Sequence, residues 1–161
     1  MKLHTIYLES LASSGIQILP YNDEEYDGYD PWIVADQAEK IAKDSGIHIA
    51  RNKDLSWFAM AEDNVVGAVW SAIYDDDDQD AMVYDFDMAT HPGYRKELGI
   101  FLRLMDAALG DYRDLQADNP RTYVRLWVVN PKLVGVLERR YGFDVESQHG
   151  DGSAHMTYYG E

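Results

Sequence analysis

Two strand-length apolar runs, VVGAVWSAIY (65–74) and AMVYDFDMA (81–89), flank the acidic run DDDDQD, and this arrangement limits the fold more than any other feature of the chain. Residues 75–80 resist burial, so the backbone must turn back there, which predicts an antiparallel hairpin. LSWFAMA (55–61) precedes the first run, with Glu62-Asp63-Asn64 as a second hairpin turn. IQIL (16–19) and IHIA (47–50) read as two further short strands. Alternation along 81–89 sets Val83, Asp85 and Asp87 on one face and Tyr84, Phe86 and Met88 on the other.

Helical signals frame these strands. Residues 20–32 form an acidic, turn-rich loop ending in Asp30, a helix cap, and Pro31, suited to the first helical position. Val34, Ala38, Ile41 and Ala42 then share one helix face, and Gly46 offers a stop. Leu98, Phe101, Leu102, Met105, Ala108 and Leu109 repeat at helical spacing up to Gly110, the expected end of that helix. YVRLWVV (123–129) reads as a strand, Asn130-Pro131 as a cap, and a helix runs from there to about Tyr141, closed by Gly142. FDVES and AHMTYY supply two last strands. This order predicts an α/β (α+β) domain over 1–161, with a single mixed, largely antiparallel sheet flanked by helices.

Charge excludes some functions. The chain has 29 acidic and 14 basic residues, for a net charge of −15. Phosphates are repelled by such a surface, so direct nucleic-acid binding is not expected. A cationic partner, imitation of nucleic acid and simple solubility all fit the acidity. With no cysteine, disulfides, thiolate metal sites and thiol nucleophiles are excluded. No apolar run approaches the ~20 residues of a membrane helix, and MKLHTIYLES lacks a signal peptide's apolar stretch, so a cytoplasmic location is expected. A calcium loop starting at Asp75 would need glycine and glutamate where Asp80 and Phe86 stand. The five histidines lack metal-ligand spacing, so no metal is expected. The serine-hydrolase elbow, the Walker A loop and the dinucleotide glycine pattern are all missing.

One segment stands out against the acidity. HPGYRKELGIF (91–101) joins a strand to a helix start and carries Arg95, Lys96 and Gly99, with Arg103 one turn on and Glu97 as the only acid. Exposed amides at a helix N-terminus attract anions, and glycine lets an anion approach the backbone. The alternative is an ordinary strand-to-helix turn with solvated charges.

MATHPGYRKELGIFLRLM, with WVVNPKLVGVLERRYGF after it, resembles the GNAT (GCN-type N-acetyltransferase) superfamily, over roughly residues 47–147. His91-Pro92, Tyr94-Arg95 and Gly99-Ile100 match the family's first block, and Asn130, Glu138 and Gly142-Phe143 its second. NVVGAVW (64–70) resembles its second hairpin. The resemblance implies that acetyl-CoA is the cosubstrate, with Met88, Ala89, Thr90, Arg95, Lys96, Glu97, Leu98, Gly99, Ile100 and Asn130 around it. It implies transfer of acetyl to an amine, and it allows a homodimer. Such transfer needs a base for the amine, a donor for the thioester oxygen and an acid for the leaving thiolate. Asp85 and Asp87 are the candidate bases, since like charges that close can move one carboxyl toward a useful range. Tyr141 is the candidate acid, with Tyr158 and Tyr159 behind it. The acidic loop 20–32 and the Asp75–Asp80 turn suit a cationic acceptor.

The chain also departs from the family pattern. The first block has one residue too many between Pro92 and Gly99, and Phe101 stands where the family has a small residue. The second block has one extra residue before Gly142, and Leu137 falls at the usual tyrosine. These departures favour a second reading: a GNAT-like protein without catalysis, whose acidic surface engages a basic or nucleic-acid-binding partner.

Overall fold

A computed structural model describes residues 15–24, 29–94 and 98–160. The strands are β1 (Ile16–Pro20), β2 (Asp54–Ala61), β3 (Asn64–Asp76), β4 (Ala81–Thr90), β5 (Tyr123–Val128), β6 (Asp144–Gln148) and β7 (Ala154–Tyr158). The helices are α1 (Pro31–Asp44), α2 (Leu98–Asp118) and α3 (Pro131–Val136), the last running on into a π turn at Leu137–Tyr141. The seven strands form one sheet in the order β1-β2-β3-β4-β5-β7-β6. β1 and β2, β5 and β7, and β6 and β7 pair antiparallel, whereas β4 and β5 run parallel, with Val83 abreast of Tyr123 and Phe86 abreast of Leu126. A mixed, largely antiparallel sheet with helices is the fold class expected from the sequence. None of the described helices is long and apolar enough to cross a membrane.

Two expectations are corrected. IHIA is not a strand. The Ile47 amide donates to the Ala42 carbonyl at 2.9 Å, which closes α1, and Ile47 and Ile49 pack against the core. Their alternation serves an extended segment lying on a core, not a ladder. The second correction concerns Gly110, which does not end α2; the helix continues to Asp118. Tyr112, just beyond the glycine, is buried and holds the helix in place. A glycine inside a helix costs only about 1 kcal/mol, less than burial of an aromatic ring returns.

The chain divides into two compact units, one of residues 1–70 and 88–109 and the other of 71–87 and 110–161. In the first, Val34, Ala38, Ile41 and Ala42 of α1 pack with Phe58, Ala68, Trp70 and Ala89. All four helix positions are legible from their spacing. Asp30 caps α1 by accepting from the Trp32 amide at 2.9 Å. Gly67, next to Ala68, points to the opposite face of β3. A Cβ on Gly67 would lie 2.8 Å from Leu104 Cδ1, 3.3 Å from the Ala89 carbonyl oxygen and 3.4 Å from Ile100 Cγ2. The start of α2 therefore rests directly on the β3 backbone.

In the second unit, Tyr112 of α2 meets Tyr158 of β7 edge-on at 5.9 Å, and Phe143 stacks on Tyr158 at 5.1 Å. The Tyr112 hydroxyl donates to the Thr122 carbonyl at 3.2 Å and accepts from Gln116 Nε2 at 2.8 Å. Burial holds the phenols of Tyr84, Tyr112 and Tyr123 above their ordinary range.

Three outcomes are expected. Gly67→Val crowds Leu104 and the Ala89 carbonyl, and urea unfolding should show a loss of about 1–3 kcal/mol. At Gly110 a Cβ meets nothing within 4 Å, so Gly110→Ala should stabilise by about 0.5–1 kcal/mol in the same assay. The raised phenols bind their protons more tightly in the folded chain. Their contribution is intact below pH ~10 and lost as pH rises above it. Absorbance titration should find Tyr84 and Tyr123 silent at pH ~11 in the folded protein and ionised there once it is denatured.

Candidate acetyl-transfer site

The strand-to-helix segment lies within the first unit. β4 ends in Met88, Ala89 and Thr90, with Ala89 buried and its neighbours half-buried. The His91 amide donates to the Val66 carbonyl at 2.8 Å, so the β4 backbone stays tied to β3 one residue past the strand. His91 Nδ1 accepts from the Gly93 amide at 3.0 Å, and the imidazole meets Tyr94 edge-on at 5.9 Å. Together they fold HPGY into a tight turn, with Pro92–Tyr94 as a single 3-10 turn. Arg95, Lys96 and Glu97 lie outside the described residues, as does the Leu98 side chain.

Beyond them α2 opens on Leu98, Gly99 and Ile100, of which Gly99 and Ile100 are buried. Phe101 is 9% exposed and belongs, with Leu102, Leu104 and Met105, to the buried apolar residues of the helix. A phenyl ring at a position where the family has a small residue is thus packed inside the protein. Arg103, the third positive charge expected from the sequence, is also used structurally. Its Nη1 donates to the Ile16 carbonyl at 2.9 Å and holds the start of β1.

The acid, base and cap candidates lie in the second unit. Asp85 and Asp87 sit two residues apart on β4 and have different surroundings. Asp87 is 5% exposed. Asp85 is half-buried, accepts from the Tyr74 hydroxyl at 2.8 Å through Oδ2, and stands abreast of Arg125 in the parallel register. Arg125 Nη2 in turn donates to Glu146 Oε1 at 3.3 Å. Asn130 caps α3, its Oδ1 accepting from the Lys132 amide at 3.1 Å. That bond accounts for the Asn-Pro signature as a helix start.

The extra residue of the second block has a structural counterpart. The helix after Val136 widens into a five-residue π turn, and Gly142, at φ 77°, closes it. The Gly142 amide donates to the Glu138 carbonyl and the Phe143 amide to the Leu137 carbonyl, both at 3.2 Å. A π turn holds one more residue than an α turn over the same rise, so an insertion need not displace the strand beyond it. Leu137 is fully buried, and Tyr141 ends the turn half-buried with its hydroxyl inside the protein.

Two residues beside the aspartates, Tyr74 and Arg125, are not among those expected from the sequence. Tyr74 reads as one more apolar residue of VVGAVWSAIY, and nothing local marks its pairing with Asp85. Arg125 is the lone charge inside YVRLWVV, and a charge in mid-strand is the signal that could have found it. The Asp75–Asp80 turn lines an open cavity of ≈ 530 Å³ with Asp118 and Arg121, and Arg121 pairs with Asp80 at 3.3 Å. Among the described residues no group of three or more histidine, aspartate or glutamate side chains is placed to hold a metal ion.

No family model matches the sequence, and no curated protein matches it significantly. Solved structures do match. Ard1 from Thermoplasma volcanium aligns over 89% of this chain and 97% of its own, with TM-score 0.59 and 16% identity. Arabidopsis thaliana Naa50, solved with the bisubstrate analogue CoA-Ac-MVNAL, aligns over 89% and 98%, with TM-score 0.51 and 14% identity. A GNAT family acetyltransferase from Elizabethkingia anophelis with acetyl-CoA bound aligns over 90% and 98%, with TM-score 0.52 and 13% identity. These identities speak for the fold and leave the chemistry to the residues. The chain has the fold of the GNAT superfamily of acetyltransferases.

Proposed function

We propose that this protein is an N-acetyltransferase that moves an acetyl group from acetyl-CoA to a cationic amine. The observation that carries this reading is the start of α2, where Phe101 packs inside the protein and a buried Gly99 stands in the first turn. A phenyl ring lying across that turn would block an anion; a ring packed away leaves the amides to attract one. The backbone of Met88–Thr90 and of Leu98–Ile100, with Arg95 and Lys96 in the segment between and Glu97 beside them, is assigned to the cofactor. Asn130, expected from the sequence to be cofactor-binding, caps α3. When bound, acetyl-CoA supplies an activated thioester. The residues of this chain manage the protons. A cationic amine first gives up one proton, which frees its lone pair, and a second as its nitrogen bonds to the acetyl carbon, while the sulfur takes one as the carbon–sulfur bond breaks.

Of the two aspartates, Asp87 is assigned the amine's proton. Asp85, which accepts the Tyr74 hydroxyl through Oδ2, is the less buried of the two. Asp87 is the more enclosed carboxyl, where charge interactions are strong. Tyr141 is assigned the proton for the thiolate.

One observation favours the second reading, a protein without catalysis that binds a basic partner. Leu137 is fully buried at the usual place of the acid, so Tyr141 acts one turn from that place or not at all.

Acetyl-CoA at about 100 times its Kd should raise stability by about 2.7 kcal/mol, read as an upward shift in a thermal melt. No shift at millimolar acetyl-CoA would sink the enzyme reading and leave the binding protein. Asp87→Asn should retain acetyl-CoA affinity and lower kcat by about 10²–10⁴ with a polyamine or lysine-peptide acceptor. An unchanged kcat would remove Asp87 as the base.

A further inference from the structure

Past the end of β4 the backbone makes one tight turn, and a side chain completes it. The Tyr94 amide donates to the His91 carbonyl at 2.9 Å, which is the backbone's own share of the turn. Pro92 has no amide hydrogen, so Gly93 holds the other inner donor, and it points to His91 Nδ1 at 3.0 Å. The His91 amide donates outward to the Val66 carbonyl at 2.8 Å, so the residue that supplies the ring is itself tied to β3. Gly93 is matched to the imidazole, since a Cβ there would lie 3.2 Å from Nδ1 and 3.4 Å from Cε1. Tyr94 meets the ring edge-on at 5.9 Å.

The Gly93 bond carries a chemical condition. A ring nitrogen accepts a hydrogen bond only while it holds no hydrogen, so Nδ1 serves Gly93 in the neutral imidazole with its hydrogen on Nε2. In the imidazolium both nitrogens are donors, and Nδ1–H would face the Gly93 N–H. Histidine is the side chain whose charge changes between pH 5 and 8. The neighbours of the ring leave that change open. Val66 on β3 is apolar, Tyr94 presents a phenol, a group uncharged in that range, and no ion pair among the described residues includes His91. Arg95, Lys96 and Glu97 are the charged residues next along the chain.

We propose that His91 is a positioning residue for acetyl-CoA: its neutral imidazole holds the turn that precedes Arg95 and Lys96, and a proton from solvent on Nδ1 releases it. The assignment rests on the acetyltransferase reading for its effect on the cofactor and on the His91–Gly93 bond for its place. Where a ligand needs a formed turn, its apparent affinity falls with the fraction of molecules that have one. Acetyl-CoA affinity therefore falls on acidification. An imidazolium that merely attracted a phosphate would act in the opposite sense, so the sign of the pH effect is decisive.

The test compares the whole chain with two variants. His91→Asn supplies an oxygen that accepts from the amide two residues on and does not titrate. His91→Phe keeps a ring beside Tyr94 and removes the acceptor. Acetyl-CoA affinity is measured by calorimetry at about pH 8 and about pH 5.5, and the Gly93 amide is followed by NMR between them. At the higher pH the wild type and His91→Asn should bind alike, and His91→Phe about fivefold more weakly. At the lower pH the wild type should match His91→Phe, with His91→Asn about fivefold tighter than both. The cofactor's phosphate monoester, which titrates near pH ~6, is common to all three proteins and cancels in these ratios. The Gly93 amide signal should follow the His91 ring signals in the wild type and stay still in His91→Asn. Three results overturn the proposal: wild-type affinity in His91→Phe at the higher pH, a ratio of wild type to His91→Asn that is unchanged or moves in the wild type's favour on acidification, or a Gly93 amide indifferent to the His91 ring. No acetyl-CoA binding by any of the three, with the Gly93 amide still following the ring, would instead sink the acetyltransferase reading and leave His91 as the holder of a proton-sensitive turn.

Discussion

The contact on which the site depends is the one that Gly67 permits. A helix normally stands off a sheet by the depth of two layers of side chains. Here one layer is missing at one point, and Leu104 and Ile100 come down onto the β3 backbone beside the Ala89 carbonyl. That fixes where α2 begins relative to the end of β4. The tie between the His91 amide and Val66 fixes the strand end from the other side. The segment between these two anchors is short, and it carries Arg95, Lys96 and Gly99. A loop can vary in sequence and length between fixed ends far more readily than the ends can move. This is a physical reason why HPGYRKELGIF can depart from the GNAT pattern without loss of the fold.

Much of the architecture is legible in the sequence because it is written in periods and punctuation. The acidic turn at 75–80 and the turn at 62–64 mark the hairpins, Asp30-Pro31 and Asn130-Pro131 mark the helix starts, and Gly142 marks a helix end. Failures come where a local signal has two physical meanings. Ile47 and Ile49 alternate as a strand would, yet they pack as a loop on the core beside α1. Gly110 looks like a stop, yet Tyr112 carries the helix past it. Neither outcome is decided within a window of about ten residues; both depend on what lies across the core.

The candidate site is legible as a list of residues and much less as a set of roles. Asp85 and Asp87 can be placed on one face from alternation alone. Their difference comes from Tyr74, on a neighbouring strand, and from the burial of Asp87. Arg103 can be counted as a positive charge, but its use on the Ile16 carbonyl requires a contact 87 positions away. Phe101 is the clearest case. The sequence puts a bulky ring where a small residue is expected, and only its burial shows that the ring is absorbed by the helix's apolar side.

The π turn at Leu137–Tyr141 has a consequence for how this chain tolerates change. An inserted residue in an α-helix rotates everything beyond it by about 100°, which would send the next strand off the sheet. Here the wider turn is confined to five residues, and Gly142-Phe143 lead the chain into β6. The segment acts as a joint that takes up slack. Length can change by one residue on the helix side while β6 still pairs with β7, across a register shift between Val145 and Ser147. What the joint does alter is the bearing of the side chains inside it, so a hydroxyl at Tyr141 approaches from a different angle than one at Leu137 would.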